Sequence, residues 1–370
     1  MPDISDLRQR QALPLRAKVL MSQNRIREWY EHWDGEVYIS FSGGKDSTVL
    51  SHLVRDMYPE VPLVFSNTGL EYPEIQSFAR KMGAEFVRPK TSFSEVISNY
   101  GYPIISKETS DSIYCARILT TDDKPHKVTY WKRDMLLGKR KTKDGEDSAF
   151  NLKKWLPLAQ EGNFNVHKYC CQIMKKNPLH SYSKKSKKLP YIATMTEESR
   201  LREQAWLKHG CNAFEEKKKT SQPMSFWTEQ DVLKYIKENG IEIASVYGEI
   251  LATDESGFAY EPIPGIDCKL KCTGCDRTGC IFCGFGAHRE KGETRFQRLA
   301  KTHPKQYEYC MMGGQWVDNP SYDPTAPVYD GDWKNWNPKK IWVPSKKGLG
   351  MKKVFDDCNQ IYGKDFIRYD

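Results

Sequence analysis

One short run of this chain combines glycines, hydroxyls, a lysine and an aspartate in an order that suits phosphate binding. The run is Ser42-Gly43-Gly44-Lys45-Asp46-Ser47, and it directly follows the apolar segment Val37–Phe41. Paired glycines let the backbone turn sharply and approach a ligand, and a helix starting behind them adds unpaired N–H groups and partial positive charge. The spacing of the Walker loop is absent. The run therefore predicts a strand–turn–helix phosphate site of another type, the alternative being an ordinary strand-to-helix turn.

Two groups among the eleven cysteines have spacings that suit a metal. One is the adjacent pair Cys170-Cys171, and the other is the run Cys268–Cys283, which also contains Cys272, Cys275 and Cys280. A closed zinc knuckle from Cys272, Cys275, Cys280 and Cys283 has the ligand count of a structural site, but it leaves the adjacent pair unexplained. Adjacent cysteines can bind different irons of a cubane, so a [4Fe–4S] cluster explains the pair and one C-x2-C together. Reduced structural thiols are the third interpretation.

Apolar periodicity predicts the elements that carry the glycine-rich loop. Strands are expected at Val37–Phe41, Val61–Phe65, Ala84–Val87 and from Leu189, and helices at Pro73–Met82, Glu197–Lys208 and Thr228–Glu238. Strands that alternate with helices predict an α/β fold with a doubly wound, mostly parallel sheet. Ligands of such sheets lie at the carboxyl ends of the strands, where both the glycine-rich loop and Asn67-Thr68-Gly69 fall.

The chain is expected to have three parts. Residues 1–34 are a helical lead-in, residues 35–260 the nucleotide-binding α/β core with a basic insertion at about 124–165, and residues 261–370 a cysteine-rich loop with a C-terminal extension.

Charge and hydropathy narrow the class of partner. The 57 basic and 48 acidic residues leave a net charge of +9, which favours anionic partners. No stretch approaches the roughly 18–20 apolar residues that span a bilayer, and no secretory pattern opens the chain, so a cytoplasmic protein without a membrane partner is expected. Between Lys168 and Lys188 there are seven lysines and no acidic residue. This basic run is either a solvated face or a surface that follows the phosphates of a nucleic acid.

Taken in order, these segments resemble the sulfonucleotide (APS/PAPS) reductase family, a branch of the PP-loop, adenine nucleotide α-hydrolase-like superfamily. The resemblance covers residues 36–290 and rests on Ser42–Ser47, Asn67–Glu74, Cys170-Cys171 with Lys175–Leu179, Glu197–Ser199 with Arg202, Pro223–Val232 and Gly279–Cys283.

The resemblance implies roles for the matching positions. Catalytic roles fall to Lys45, Asp46 and Ser47. Nucleotide binding falls to Ser42, Gly43, Gly44, Thr68, Gly69, Glu71, Glu198, Ser199 and Arg202. A [4Fe–4S] cluster would be held by Cys170, Cys171, Cys280 and Cys283, which we call the cysteine quartet, with Cys272 and Cys275 as weaker candidates.

Three departures from that family favour ATP over APS or PAPS. The chain ends DDCNQIYGKDFIRYD, so Cys358 lacks the flanking glycine and histidine of the family's nucleophilic Glu-Cys-Gly-x-His tail. The family's substrate-binding arginine is Met195 here. The loop keeps Lys45, which ATP pyrophosphatases of the superfamily retain and which offers a charge to the β- and γ-phosphates.

The sequence thus predicts an enzyme that binds ATP with Mg²⁺, cleaves it at the α-phosphate and releases pyrophosphate beside a [4Fe–4S] cluster. Sulfur transfer to a nucleic acid or small acceptor would follow, with a protein partner supplying electrons or sulfur. One alternative is an APS/PAPS reductase that releases sulfite. Another is a non-catalytic component that binds nucleotide or nucleic acid within a larger assembly.

Overall fold

The computed structural model describes residues 3–118, 127–254, 256–262, 268–326 and 336–370. Its described α-helices are α1 Ile4–Gln11, α2 Leu15–His32, α3 Lys45–Met57, α4 Pro73–Lys81, α5 Phe93–Tyr100, α6 Lys107–Ile118, α7 Lys127–Leu137, α8 Leu156–Glu161, α9 Asn177–Ser186, α10 Arg200–His209, α11 Glu229–Glu238, α12 Arg295–Thr302, α13 Pro304–Met311 and α14 Met351–Tyr362. Its described strands are β1 Val37–Phe41, β2 Leu63–Ser66, β3 Glu85–Val87, β4 Ile104–Ile105, β5 Leu189–Tyr191, β6 Asn212–Ala213, β7 Thr220–Ser221, β8 Ile250–Thr253, β9 Ala259–Tyr260, β10 Lys269–Cys272, β11 Gly284–Phe285, β12 Gln315–Asp318 and β13 Lys340–Val343.

The chain folds into two units that are interleaved along the sequence. The first contains residues 1–90 and 175–279, and the second contains residues 91–174 and 280–370. The three-part division expected from the sequence, with boundaries at 34/35 and 260/261, stays a prediction about domain organisation.

A six-stranded sheet in the order β3-β2-β1-β5-β7-β6 forms the centre of the first unit. The pairs β1/β2, β1/β5, β2/β3 and β5/β7 are parallel, and only the edge pair β6/β7 is antiparallel. The predicted doubly wound, mostly parallel α/β sheet is therefore confirmed. The strand order runs outward in both directions from β1 and β5, and ligands of such sheets bind where the order reverses.

Apolar residues explain why β1 and α3 lie at the core of this unit. Val37 and Ile39 of β1 are fully buried, as are Val49 and Leu50 of α3. Burying side chains of this size stabilises the fold by about 1.5–3 kcal/mol each. The loop that joins these two elements is therefore anchored on both sides by core packing.

Helix α2 is bonded to the first turn of α11 and to the segment that precedes it. Lys18, which is almost fully buried, pairs with Asp231 at 2.6 Å. Ser22 Oγ accepts the indole N–H of Trp227 at 2.9 Å and donates to the carbonyl of Pro223 at 2.9 Å. The helical lead-in is thus part of the first unit.

The helix expected over Glu197–Lys208 is interrupted. Residues Thr196–Glu198 form a 3-10 turn, and α10 begins only at Arg200. Ser199 between them is extended, with φ −170°, and its side chain accepts from the Arg202 N–H as an N-cap. Serine favours this capping geometry over a helix interior, which explains the break.

The second unit carries α5–α8, α12–α14 and two short strand pairs. β4 and β11 pair in parallel, and β12 and β13 pair antiparallel. Arg117 of α6 is buried and donates to the carbonyls of Leu158, Ala159, Gly162 and Phe164 at 2.7–3.1 Å. Burial lowers its pKa to about 9. These bonds join α6 to the turn after α8.

Candidate functional site

The loop between β1 and α3 is held by its own hydroxyl groups. Ser47 Oγ donates to the Gly44 carbonyl at 3.0 Å and lies 3.0 Å from Ser42 Oγ. Gly43 has φ +70°, and a Cβ there would lie 2.7 Å from Ile75 Cγ2, so this turn requires glycine. The N-cap residue of α3 is Gly44, which has no side chain to cap the helix, so an anion can take the place of a side-chain cap.

Lys45 projects from the first turn of α3 into a charged setting. Lys45 is only 6% exposed, and its Nζ lies 3.1 Å from Glu229 Oε1 and 5.5 Å from the centre of the Tyr247 ring. Burial raises the pKa of the Tyr247 hydroxyl, and the backbone N–H of Lys45 acts in the opposite direction. Burial also raises the pKa of the Cys272 thiol, and the charge of the Lys45 ammonium opposes that rise. The lysine is thus paired with Glu229 and lies close to Tyr247 and Cys272.

Three cationic side chains lie near enough to Asp46 to influence its ionisation. Burial raises the pKa of its carboxyl above the ordinary aspartate range. The charges of Lys45, Arg277 and Arg202 act in the opposite direction, and Glu229 adds a smaller rise. A partly desolvated carboxylate of this kind gains more from a bound cation than an exposed one does.

The turn after β2 is closed by an inward-facing carboxylate. Glu71 is buried and accepts from the Thr68 N–H at 3.0 Å and from Thr68 Oγ1 at 2.8 Å. Lys175 Nζ lies 3.3 Å from Glu71 Oε1. Gly69 has φ +74° with open space at its Cβ position. Of these predicted nucleotide contacts, Glu71 shapes the turn and Gly69 lies at its open face.

The segment after β5 brings together the other predicted nucleotide contacts. Glu198 pairs with Arg202 of its own segment and with Arg277. Ser199 is used as the N-cap of α10. Because β1, β2 and β5 are parallel, the segments that follow them share one edge of the sheet, which is the expected ligand edge.

Sequence reasoning missed three residues at this loop. Glu229 starts α11 after β7, Tyr247 ends a 3-10 turn, and Arg277 lies within the run of cysteines. The cysteines of the run Cys272–Cys283 suggest metal binding, whereas Arg277 between them is a usable signal of anion binding. Tyr247 offered no signal, because its position depends on how the chain crosses itself.

The cysteine quartet lies within the second unit. The pKa of the Cys170 thiol is raised by a hydrogen bond with Cys171, by burial, and by the neighbouring charges of Cys283 and Cys280. Burial also raises the pKa of Cys283, whose carbonyl accepts from Arg295 at 3.0 Å. The four thiols are therefore near enough to influence one another's ionisation.

The quartet supplies four thiols, which is the number of protein ligands that either a single zinc ion or a [4Fe–4S] cluster uses. Within the described ranges, no three His, Cys, Asp or Glu side chains are placed to hold one metal ion. A single tetrahedral zinc needs four donors about 2.3 Å from one point, whereas each thiolate of a cubane binds a different iron. A positively charged metal centre, such as the iron core of a cluster, stabilises thiolates that would otherwise repel one another. The cluster itself stays a prediction.

The weaker candidates Cys272 and Cys275 belong to the first unit. Both are buried, at 3% and 5% exposure, and Cys272 contacts Lys45 as described above. The Cys275 N–H donates to the Val246 carbonyl at 2.9 Å. Their part in a metal site stays untested.

Several lysines of the basic run are paired with carboxylates. Lys168 lies 2.6 Å from Asp111, Lys175 pairs with Glu71, and Lys188 lies 3.2 Å from Glu36. The exposed lysines near the end of α9 are Lys184, Lys185 and Lys187. Any nucleic-acid surface on this run is therefore expected at the end of α9.

Among the helices that the structure describes, none combines the length and apolar character required to cross a bilayer.

A mostly parallel sheet with a glycine-rich loop at the carboxyl end of its central strand β1 defines a doubly wound α/β protein. The family model of the phosphoadenosine phosphosulfate reductase domain matches residues 36–144 and 139–284 of this chain. These matches cover more than half of its 370 residues. The chain belongs to the phosphoadenosine phosphosulfate reductase domain family, which confirms the resemblance found in the sequence.

Individual relatives match over shorter stretches. The phosphoadenosine 5'-phosphosulfate reductase of Photorhabdus laumondii is 32% identical over 68 residues, which are 18% of this chain and 28% of the relative. That of Vibrio campbellii is 30% identical over 66 residues, 18% of this chain and 26% of the relative. This chain therefore spans only 26–28% of the length of these relatives. Among solved structures, the chain is similar to the crystal structure of phosphoadenylyl-sulfate (PAPS) reductase from Candida auris in complex with phosphate. The match has a TM-score of 0.34 and 13% sequence identity, and it covers 66% of this chain and 91% of that one.

Proposed function

We propose that this chain is an enzyme that binds ATP at the loop Ser42–Ser47, cleaves it at the α-phosphate and releases pyrophosphate. The observation that carries the proposal is the setting of Lys45. It is a nearly buried cation at the start of α3, the N-cap of that helix is a glycine, and Arg277 lies near enough to the same loop to act on Asp46. Cations and N–H groups fixed in advance stabilise charge as it develops on a departing phosphate.

The first chemical step is adenylation of an acceptor oxygen. That oxygen attacks the α-phosphorus, a new P–O bond forms, and the bond to the β-phosphate oxygen breaks with its electron pair going to pyrophosphate. The proton of the acceptor hydroxyl passes to solvent or a nearby base. Lys45 holds the leaving phosphates, and the loop backbone holds the α-phosphate.

Mg²⁺ suits the site because ATP carries more negative charge than one lysine and a loop can balance. Asp46 would hold it, since a metal of this kind binds through one or two carboxylates together with substrate phosphates. The raised pKa of Asp46 fits a carboxylate that lacks solvent and gains from a cation.

Sulfur transfer is the proposed second step. A sulfur nucleophile from a partner protein attacks the activated carbon, a C–S bond forms, and the C–O bond breaks to release AMP. The cysteine quartet would hold the [4Fe–4S] cluster, which when bound would supply electrons or sulfur for this stage. The acceptor is a nucleic acid or a small molecule, and the exposed lysines at the end of α9 support the former.

Reduction of APS or PAPS is the second candidate, and family membership supports it. It needs a thiol that attacks the sulfonucleotide. Cys358, the cysteine nearest to the C-terminus in sequence, is fully buried in α14, and burial raises its pKa. A buried, protonated thiol is a poor nucleophile, so this observation favours ATP.

The test is calorimetric titration of anaerobically purified protein with Mg²⁺-ATP, APS and PAPS, together with an assay of pyrophosphate release. We expect ATP to bind most tightly and pyrophosphate to form. Sulfite release from PAPS or APS with a thiol donor would establish the reductase instead. Nucleotide binding with neither product would favour a non-catalytic component.

A further inference from the structure

The basic insertion at about residues 124–165 places exposed aromatic rings next to cations. In its described part, Tyr130 and Trp131 of α7 are 42% and 41% exposed. The Cζ atom of Arg133 lies 5.3 Å from the centre of the Tyr130 ring, and that of Arg140 lies 4.1 Å from the centre of the Trp131 ring. We call these four residues the aromatic–cation surface. The proposed nucleotide chemistry gives this surface no role.

Helix α7 holds both aromatic residues on a packed base. Met135 and Leu136 are fully buried, and Lys132 Nζ lies 3.6 Å from Asp111 Oδ2 of α6, with both side chains mostly buried. Residues 132, 135 and 136 have the spacing of one helix face, so they form the inward face of α7 and Tyr130 falls on the opposite side. The packing of α7 on α6 therefore sets the direction in which the rings are presented.

Arg140 follows α7 in a short antiparallel hairpin whose backbone is tied by one asparagine. Asn151 accepts the Arg140 N–H at 3.2 Å and donates to the Arg140 carbonyl at 3.1 Å, and the Ser148 N–H donates to the same carbonyl at 2.9 Å. Asn151 also donates to the carbonyl of Gly138, just after the end of α7, at 3.2 Å. These bonds fix the backbone from which the Arg140 side chain reaches Trp131.

The charge of Arg140 is not neutralised by a carboxylate. Among the ion pairs of the described residues none includes Arg140, whereas Arg133 lies 3.8 Å from Asp134 and Lys141 lies 2.6 Å from Asp147. Residues 130–154 carry eight basic and four acidic side chains. The surface thus presents a guanidinium beside an aromatic ring in a segment that favours a polyanion.

A second exposed tryptophan of the same unit lacks this combination. Trp316 of β12 is 44% exposed, and Lys353 Nζ lies 5.5 Å from the centre of its ring. Lys353 is paired with Asp357 on α14, and the Trp342 ring packs edge-on against Trp316 at 5.4 Å. Because its cation is neutralised, Trp316 provides a matched control.

An exposed ring beside a free guanidinium suits an unpaired nucleotide. Aromatic side chains stack on the faces of bases, and nearby cations contact the phosphates of the same strand. In a duplex those faces are covered by the neighbouring base pairs, so proteins stack on bases that are unpaired. The rings therefore favour a single strand, and the cations favour nucleic acid over an uncharged partner.

We propose that the aromatic–cation surface binds single-stranded nucleic acid, with Tyr130 and Trp131 stacking on bases and Arg140 contacting a phosphate. In the free protein the guanidinium lies over the Trp131 ring, and its movement to a phosphate would free that face for a base. The inference rests on the nucleic-acid acceptor of the proposed function and deepens it by specifying an unpaired strand. It does not depend on ATP cleavage, so binding is measured without nucleotide.

The test is fluorescence anisotropy of labelled oligothymidylate, oligouridylate and a duplex of the same length, titrated with the full chain. Trp131→Leu keeps apolar bulk but removes the aromatic face, and Arg140→Gln removes the charge of a side chain that carries no ion pair. Trp316→Leu is the matched control, since it removes an equally exposed tryptophan. Thermal unfolding of each variant verifies that it is folded.

We expect the parent to bind single strands more tightly than the duplex. Trp131→Leu should bind single strands roughly fivefold to a hundredfold more weakly, which is the range that one stacked base contributes. Arg140→Gln should reduce the log–log dependence of affinity on salt by about 0.7, the value for one phosphate of a single strand. Trp131→Leu should leave that dependence unchanged, and Trp316→Leu should behave as the parent.

Unchanged affinity in both folded variants, or an equal loss in Trp316→Leu, overturns the inference. A parent that binds the duplex as tightly as single strands also overturns it, because stacking would then contribute nothing. A parent that binds no oligonucleotide refutes it and leaves a protein as the partner of this surface, whether or not ATP is cleaved. Strand binding that depends on Trp131, without ATP cleavage, supports this surface and refutes the proposed reaction, so the two failures are distinguishable.

Discussion

Replacing Lys45 with alanine should slow pyrophosphate release far more than it weakens ATP binding. In the proposed reaction the ammonium faces the departing phosphates, so its contribution would grow as negative charge develops on the leaving group. A preorganised donor at such a position contributes about 2.7–4 kcal/mol, which corresponds to roughly 10²–10³ in turnover. We expect the dissociation constant for Mg²⁺-ATP to rise less than about tenfold.

The folded state should tolerate the change. The ion pair of Lys45 with Glu229 spans 3.1 Å, but the glutamate side chain is 51% exposed. Pairs with one partner in solvent contribute about 1 kcal/mol or less. Lys81→Ala is the matched control, because Lys81 also pairs with a glutamate, Glu242 at 2.6 Å, but is exposed on α4.

A second variant separates the effect of losing the Lys45 cation from the effect of leaving the Glu229 carboxylate unpaired. Removing Lys45 exposes the phosphates to the charge of Glu229, and Lys45→Ala with Glu229→Gln removes both. We expect the double variant to regain some ATP affinity without regaining turnover, in single-turnover measurements of pyrophosphate release. Recovered turnover, or a single variant that loses affinity as much as rate, would refute a leaving-group role for Lys45.

Three further predictions concern other parts of the chain. Protein purified without oxygen should be brown and should contain about four irons per polypeptide. The Cys283→Ser variant should contain less iron. Stoichiometric zinc without iron would argue for a zinc knuckle instead. Burial lowers the pKa of His167 from 6.5 to about 4, so its contribution to stability is present above pH 6.5 and is lost as the pH falls towards 4. The loss is about 3 kcal/mol, and chemical unfolding at pH 7, 5.5 and 4 should show a steeper decline in the parent than in His167→Gln. Replacing Lys184, Lys185 and Lys187 with glutamine should reduce the salt dependence of nucleic-acid binding, and an unchanged slope would mean that the basic run is a solvated face.

The parts of the fold that depend on local pattern could be predicted. Buried β-branched and apolar residues identified Val37–Phe41 as a strand, and the structure has it with the same bounds. Thr228 was expected to cap a helix, and it does so in a capping box with Asp231. Both features depend on residues adjacent in sequence, so periodicity and cap chemistry were sufficient.

Contacts between distant segments could not be predicted in the same way. Arg277 and Tyr247 reach the loop only because Gly274 lets two backbones cross closely. Glu71 accepts from the N–H and the hydroxyl of Thr68, a contact that the sequence did not predict, and its nucleotide contact stays a prediction. A motif fixes which residue types surround a ligand, whereas the orientation of each side chain depends on partners far away in the sequence.

The most direct test of the account is a side-by-side titration of anaerobically purified protein with Mg²⁺-ATP and PAPS. Lys45, Arg277 and the glycine N-cap of α3 predict that ATP binds more tightly and that bound ATP yields pyrophosphate. Tighter binding of PAPS, with sulfite formed once a thiol donor is added, would contradict the account and identify the chain as a sulfonucleotide reductase.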